Sequence, residues 1–318
     1  MLRRLALCVF VLLVWAPAAV ADGGGPSPGV TVGWDGVVAP DGTSRYVALP
    51  TGEGTAIEKI RIADGRVLRF GSFSGSFGIP MVAQDGSTGG LSPDGKTLVL
   101  GESAGGATLR TVSHFIALDT TSFRPVEFLL PGDYSYDAIS PRGKTLYLIH
   151  HVSSADLTRY VVRAYDLELG QLRPGAIADR TQRGWVMRGY PMTRASSADG
   201  RWAYTLYQNP GGYPFVHALD TVRGVAHCVG LPWQGGQDSL WNIRLDLRHG
   251  GTQLAVHWKS GRPYLAIDTR TFRISHPAGR GFPSLYVGAA AAALLLAAGL
   301  LARRGVRSRA VRMLPARA

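Results

Sequence analysis

The chain has 318 residues, 46% of them hydrophobic, and a formal charge of +12. That charge suggests nucleic acid until its position is read, because eight arginines sit at the two ends. Removing Arg3, Arg4 and the six tail arginines leaves +4 in between, an ordinary solubility charge, so nucleic acid is not expected as a partner.

Residues 1–21 read as a signal peptide. Arg3 and Arg4 precede an apolar run from Leu5 to Trp15 that is too short to span a bilayer, and Ala19-Val20-Ala21 supplies a small-x-small cleavage pattern. Residues 22–29 form a glycine-rich flexible leader. Cleavage removes Cys8, so Cys228 is the one cysteine of the mature chain and no internal disulfide is possible. The exported part must stand on its hydrophobic core. Cys228, in the alternating stretch VAHCVGL, reads as a small buried hydrophobe.

From residue 30 to residue 276 two landmarks alternate. The first is a turn followed by a strand: APDGTSRYVAL at 39–49, SPDGKTLVL at 92–100, SPRGKTLYL at 140–148, SADGRWAYTL at 197–206 and RHGGTQLAV at 248–256. Asp-Gly is strong turn chemistry, because Asp bonds its own backbone and Gly accepts positive φ. The second landmark is a strand that closes on an acid, as in FIALDTTSF, VRAYDLELG, VHALDTVRG and YLAIDTRTF. Asp119, Asp166, Asp220 and Asp268 thus end strands and open further turns. Arg142 and Gly250 replace the turn aspartate in the third and fifth repeats. One more strand fits before each turn, such as DAIS at 137–140, giving four strands in each unit of about 50 residues. Residues 22–38 hold at most one strand.

This pattern resembles the YVTN, TolB-like and WD40-like propeller repeats of exported bacterial proteins. The resemblance covers roughly residues 30–276 and rests on turn and strand residues, so it implies a fold and no activity. The expected fold is an all-β β-propeller of five four-stranded blades. Six is the alternative, if the long 174–196 segment supplies strands of its own. The first unit begins on its inner strand and the last ends on its outer one, so the ring is expected to close by packing of first unit on last.

Residues 277–283 read as a linker, and residues 284–302 as a transmembrane helix. The second stretch is uncharged and of spanning length. The arginine-rich segment 303–318 that follows marks the cytoplasmic side. The expected location is therefore the plasma membrane, single-pass, with the propeller outside and a basic cytoplasmic tail.

No catalytic or metal motif appears. His150 and His151 are adjacent, and neighbours on a strand face opposite ways. DGSTGG at 85–90 lacks the spaced acids of a calcium loop. No cofactor is expected. Counting six residues back from each turn position gives Asp35, Thr88, Tyr136, Thr193 and Arg244, a candidate polar ring for a ligand at the central channel. Trp185, Tyr190 and Tyr213, in the irregular loops GWVMRGYPM and YQNPGGYPF, are candidate rim contacts. The expected function is a non-enzymatic module binding an unknown protein, peptide or cell-wall ligand. The alternative is a propeller-type hydrolase or lyase at the channel.

Overall fold

The computed structural model describes residues 27–103, 108–181 and 186–276. The proposed signal peptide, transmembrane helix and basic tail lie outside the described residues, as does Trp185. Among the described residues, no helix is long and apolar enough to cross a membrane.

Twenty-two strands form five antiparallel sheets. A short strand, β1 (Val30–Thr31), comes first. The first sheet is β2 (Gly33–Val38), β3 (Ser44–Pro50), β4 (Gly54–Arg61) and β5 (Val67–Ser74). The second is β6 (Phe77–Pro80), β7 (Thr97–Glu102), β8 (Val112–Asp119) and β9 (Pro125–Pro131). The third is β10 (Asp133–Ile139), β11 (Thr145–His151), β12 (Arg159–Asp166), β13 (Gln171–Leu172) and β14 (Met187–Arg188). The fourth is β15 (Tyr190–Ser196), β16 (Trp202–Gln208), β17 (Phe215–Asp220) and β18 (Val225–Gly230). The fifth is β19 (Ile243–Arg248), β20 (Gln253–Trp258), β21 (Pro263–Asp268) and β22 (Ile274–Ser275).

The repeated acids have a common local cause. Asp119, Asp166, Asp220 and Asp268 are the last residues of β8, β12, β17 and β21. In each, Oδ1 accepts the backbone N–H groups two and three residues on, at 2.6–3.1 Å. This Asx arrangement turns the chain back into the outer strand. The residue four places on is left-handed: Phe123 (φ 59°), Gly170 (66°), Gly224 (65°) and Phe272 (57°). The two phenylalanines accept a conformation that suits glycine because their rings fill space against a neighbouring sheet. Phe123 lies 6.4 Å from Tyr46 of the first sheet. Phe272 lies 4.3 Å from His227 and 5.8 Å from Trp202 of the fourth.

Residues 22–38 hold two strands, where one was expected. β1 adds to the edge of β6 in the second sheet, while β2 opens the first. The chain can do both because Gly33, the first residue of β2, takes φ 101° just after the single residue that separates the two strands. The described residues of the 174–196 segment make no sheet of their own. Ile177 bridges Val162, β14 pairs with β12, and β15 opens the fourth sheet.

Four apolar clusters join successive sheets. One packs Tyr46, Ala48 and Ile57 on Phe77, Leu98 and Ile116. The next packs Val99 and Phe115 on Tyr136, Leu146 and Leu148. The third packs Tyr147, Ile149 and Val162 on Ala203, Tyr207 and Leu219. The last packs Leu206, Val216 and Ala218 on Leu245, Leu254 and Val256. None of these clusters joins the fifth sheet to the first, which departs from the expected closure. The fifth sheet's face away from the fourth is polar. Arg244 is paired with His257 across the strands and Asp246 with Ala255, and Asp246 accepts from His257 at 2.6 Å.

Candidate functional site

The centre is occupied by the protein's own chain. The inner strand of the second sheet is interrupted: β6 pairs with the end of β7, Leu91 bridges Leu98 near its start, and residues 81–88 are extruded between them as a hairpin. Met81 bridges Thr88, and Val82 N–H donates to the Ser87 carbonyl at 2.8 Å. Val82 and Ala83 are buried.

This hairpin and its stem reach the inner strands of all four other sheets. Thr88 Oγ1 donates to the Gly36 carbonyl of β2 at 3.1 Å. Gly89 sits so close to Tyr136 of β10 that a Cβ there would lie 2.6 Å from the ring. Gln84 N–H donates to the Pro191 carbonyl of β15 at 2.8 Å. Asp85 faces Arg244 of β19, with 3.7 Å between carboxylate and guanidinium. The DGSTGG stretch is therefore a central tie. Its Asp85 serves Ser87 and Arg244.

The five counted positions do not share one environment. Asp35 is exposed and Thr88 lies on the hairpin. Tyr136 is buried between the second and third sheets, and burial pushes its hydroxyl up to about 12. Thr193 is buried as well. Arg244 donates to the Ile243 carbonyl at 2.6 Å and faces Asp85. The equivalence fails because of β-bulges. One interrupts β10 between Tyr136 and Ala138, another interrupts β15 between Pro191 and Thr193. A bulge inserts one residue and inverts the facing of what precedes it. Tyr136 pairs with Leu148 of the second–third cluster, whereas Thr193 pairs with Leu206 of the fourth–fifth cluster. On the turn side of the centre remains a cavity of about 330 Å³, whose walls include Val37, Leu91, Tyr136, Ile139, Arg194 and Trp202.

The rim differs. Tyr213, on the β16–β17 loop, is 71% exposed. Its loop is held by a side chain from the next unit: Gln237 accepts Asn209 N–H at 2.8 Å and donates to the Asn209 and Gly212 carbonyls at 3.0 and 2.7 Å. Beside it lies a cavity of about 380 Å³ lined by Asp179, Met187, Arg188, Asn209, Phe215 and Cys228 among others. Arg188 also faces Asp156 at 3.1 Å. Tyr190 is half-buried and packs on the fourth–fifth cluster, so it contributes to the core. The tryptophans of the second half divide similarly. Trp202, Trp233 and Trp258 belong to that cluster, and Trp241 is 48% exposed.

The sequence reading missed a polar row on the fourth sheet. Arg194, Thr205, His217 and Cys228 are successive cross-strand partners on β15, β16, β17 and β18. They share the face with Ala203, Tyr207 and Leu219, which packs on the third sheet. Arg194 donates to the carboxylate and carbonyl of Asp137 and, at 2.9 Å, to Thr205 Oγ1. His217 Nδ1 lies 3.6 Å from Cys228 Sγ. Cys228 N–H donates to Asp179 Oδ2 at 2.8 Å. Burial, with Asp179 adding to it, pushes the Cys228 thiol up to about 12, so it stays protonated. Burial also lowers the His217 imidazole. The signal was present: Thr205 and His217 interrupt otherwise apolar positions in WAYTLYQ and FVHALD.

The chain is similar to TolB-like and other β-propeller proteins. Among solved structures it matches TolB from Acinetobacter baumannii at 15% identity, over 75% of this chain and 54% of that one, with a TM-score of 0.41. It matches hydrazine synthase of Kuenenia stuttgartiensis at 18% identity, over 73% and 63%, with a TM-score of 0.43. The Dos1 propeller matches at 9% identity, over 76% and 57%, with a TM-score of 0.44. The chain thus spans about half to two-thirds of the length of these structures. No protein-family model and no curated protein matches it.

Proposed function

We propose that this chain is an exported, single-pass membrane protein that holds a five-bladed β-propeller outside the plasma membrane as a binding module. Its ligand is a protein, a peptide or a cell-wall component, and its contact surface is the rim of the fourth sheet around Tyr213. The observation that carries this reading is the contrast between centre and rim. The centre is filled by residues 81–89, whose Asp85, Ser87 and Thr88 side chains are engaged within the protein. The rim presents an exposed aromatic ring on a braced loop beside an open cavity. A ring held in place before contact loses little freedom on binding.

A hydrolase at the channel needs carboxylates free to converge on a reacting group. Those nearest the inner strands are otherwise disposed. Asp137 is held by Arg194, Asp246 by His257 and Asp85 by Arg244, while Asp35 is exposed. The binding reading is therefore preferred.

Two experiments test it. A photo-activatable phenylalanine analogue replaces Tyr213 in the full chain in intact cells, with Phe70, 69% exposed on β5, as the control position. A discrete adduct from position 213 and none from position 70 supports the rim. Equal labelling, or none at position 213, sinks it. For topology, Thr51→Cys and Ser308→Cys variants are treated with a membrane-impermeant maleimide. Labelling at 51 and not at 308 in intact cells is expected, each read above the background of the parent chain, whose Cys228 is half-buried. The reverse pattern overturns the orientation.

A further inference from the structure

We propose that the interface between the third and fourth sheets binds a chain of ordered water molecules, which joins the rim cavity at Cys228 to the turn-side central cavity at Arg194. The inference goes beyond the binding function and does not depend on it.

Its first support is the polar row itself. Sheet-to-sheet interfaces in a repeat of this kind are closed mainly by apolar side chains, and the fourth sheet's other face carries a large apolar cluster with Thr193 and His227 beside it. The face toward the third sheet instead carries Arg194, Thr205, His217 and Cys228, one from each strand, from inner edge to outer edge. Arg194 lines the central cavity and Cys228 lines the rim cavity, so the two ends of the row open on two different spaces.

The second support is independent of that placement. Asp137 Oδ2 and His217 Nε2 make no hydrogen bond at this interface, and the Tyr160 and Tyr207 hydroxyls have no partner in the protein beyond each other. Each belongs to a side chain about 1% exposed. They lie in one neighbourhood. The Tyr160 and Tyr207 rings stack at 5.4 Å, and Tyr207 meets His217 edge-on at 6.3 Å. Both hydroxyls feel the Asp137 carboxylate and each other. A buried polar group without a partner is destabilising, and native proteins satisfy such groups with bound water.

The chemistry of the four atoms selects water over other small occupants. A carboxylate oxygen accepts, the two hydroxyls both donate and accept, and the imidazole nitrogen does either according to tautomer. The guanidinium of Arg194 already balances the charge of Asp137. An anion would meet the free carboxylate oxygen and a cation would meet the guanidinium, so a neutral, two-way hydrogen-bonding molecule fits. No three His, Cys, Asp or Glu side chains among the described residues are grouped to hold a metal ion.

Hydroxyl deletion in the full chain gives the test. If the interface is dry, the two hydroxyls have only each other, so the Tyr160→Phe/Tyr207→Phe double variant removes the pair together and Tm stays level or rises. If water bridges these hydroxyls, the double variant strips that water of its partners, and Tm falls by about 2–4 °C. A second measurement reads the water itself. Oxygen-17 magnetic relaxation dispersion counts long-lived internal waters, and the count is expected to fall in the Tyr160→Phe/Tyr207→Phe double variant. A level or higher Tm, or an unchanged water count, in the double variant overturns the proposal.

Discussion

The two faces of the fourth sheet are built on opposite principles. Toward the fifth sheet, Met192, Tyr204, Leu206, Val216, Ala218 and Val229 bury against Leu245, Leu254, Val256, Leu265 and Ile267. Toward the third, the same four strands present a cation, a hydroxyl, an imidazole and a thiol, and the cation grips the Asp137 carboxylate of β10. Both faces come from the same alternation, since successive side chains on a strand point to opposite sides. The first face gains stability from area removed from water. The second holds a buried ion pair, which is a weak source of net stability and becomes a liability if either partner is lost. The sheet is thus anchored on one side and conditionally held on the other.

The largest effect is expected on the conditional side. Arg194→Met leaves Asp137 buried without its counter-charge and should cost about 3–5 kcal/mol in chemical denaturation. Adding Asp137→Asn to that variant should recover most of the loss. If it recovers none, the ion pair is not what distinguishes this face.

On the anchored side, Leu206→Ala opens a cavity among fully buried neighbours and should cost about 3 kcal/mol by the same measurement. A loss under about 1 kcal/mol would mean that the two faces differ less than their composition implies.

A smaller effect sharpens the contact of the fifth sheet with the fourth at Phe272. Its left-handed backbone is strained for any residue with a Cβ, so Phe272→Gly should be less destabilising than Phe272→Ala by about 1 kcal/mol. The usual order, with glycine worse, would show that no strain is held there.

The smallest effect is on pH. Burial lowers the His217 pKa, so the unfolded chain binds a proton that the folded chain refuses. Stability should therefore fall as pH drops from about 6.5 toward the folded value, and His217→Gln should remove this residue's share. A second decline belongs to the Asx turns. Backbone N–H bonds hold Asp119, Asp166 and Asp268 below the usual carboxylate value. Their contribution is complete above about pH 3.8 and is lost as pH falls through the lower folded values. Thermal melts across pH 2–8 separate the two, and an identical first decline in the His217→Gln chain would rule out His217 as its source.

Much of the fold was readable residue by residue. The five turns and four strand-ending aspartates fall where the repeats put them, because at the four aspartates and at three of the turns one carboxylate bonds the backbone two or three residues away. The candidate site was far less legible. The 81–88 hairpin looks like an ordinary polar loop, and its partners Gly36, Pro191 and Arg244 are distant along the chain. The ring of counted positions dissolved because Asp137 and Met192 bulge out of their ladders at different offsets from the turn. Trp185 lies outside the described residues, and Tyr190 is half-buried and packs against the fourth–fifth cluster. Of the two described rim candidates, Tyr213 is the exposed one.

Sequence alone determined the unit: its period, its turns, and the alternation that gives every strand a face for each neighbour. Those features follow from backbone hydrogen bonds and glycine geometry within a few residues. The tertiary structure decided what fills the centre, which sheets share a core, and where a row of polar side chains lies buried. These depend on register, and a single bulged residue reverses which side of a sheet a side chain joins.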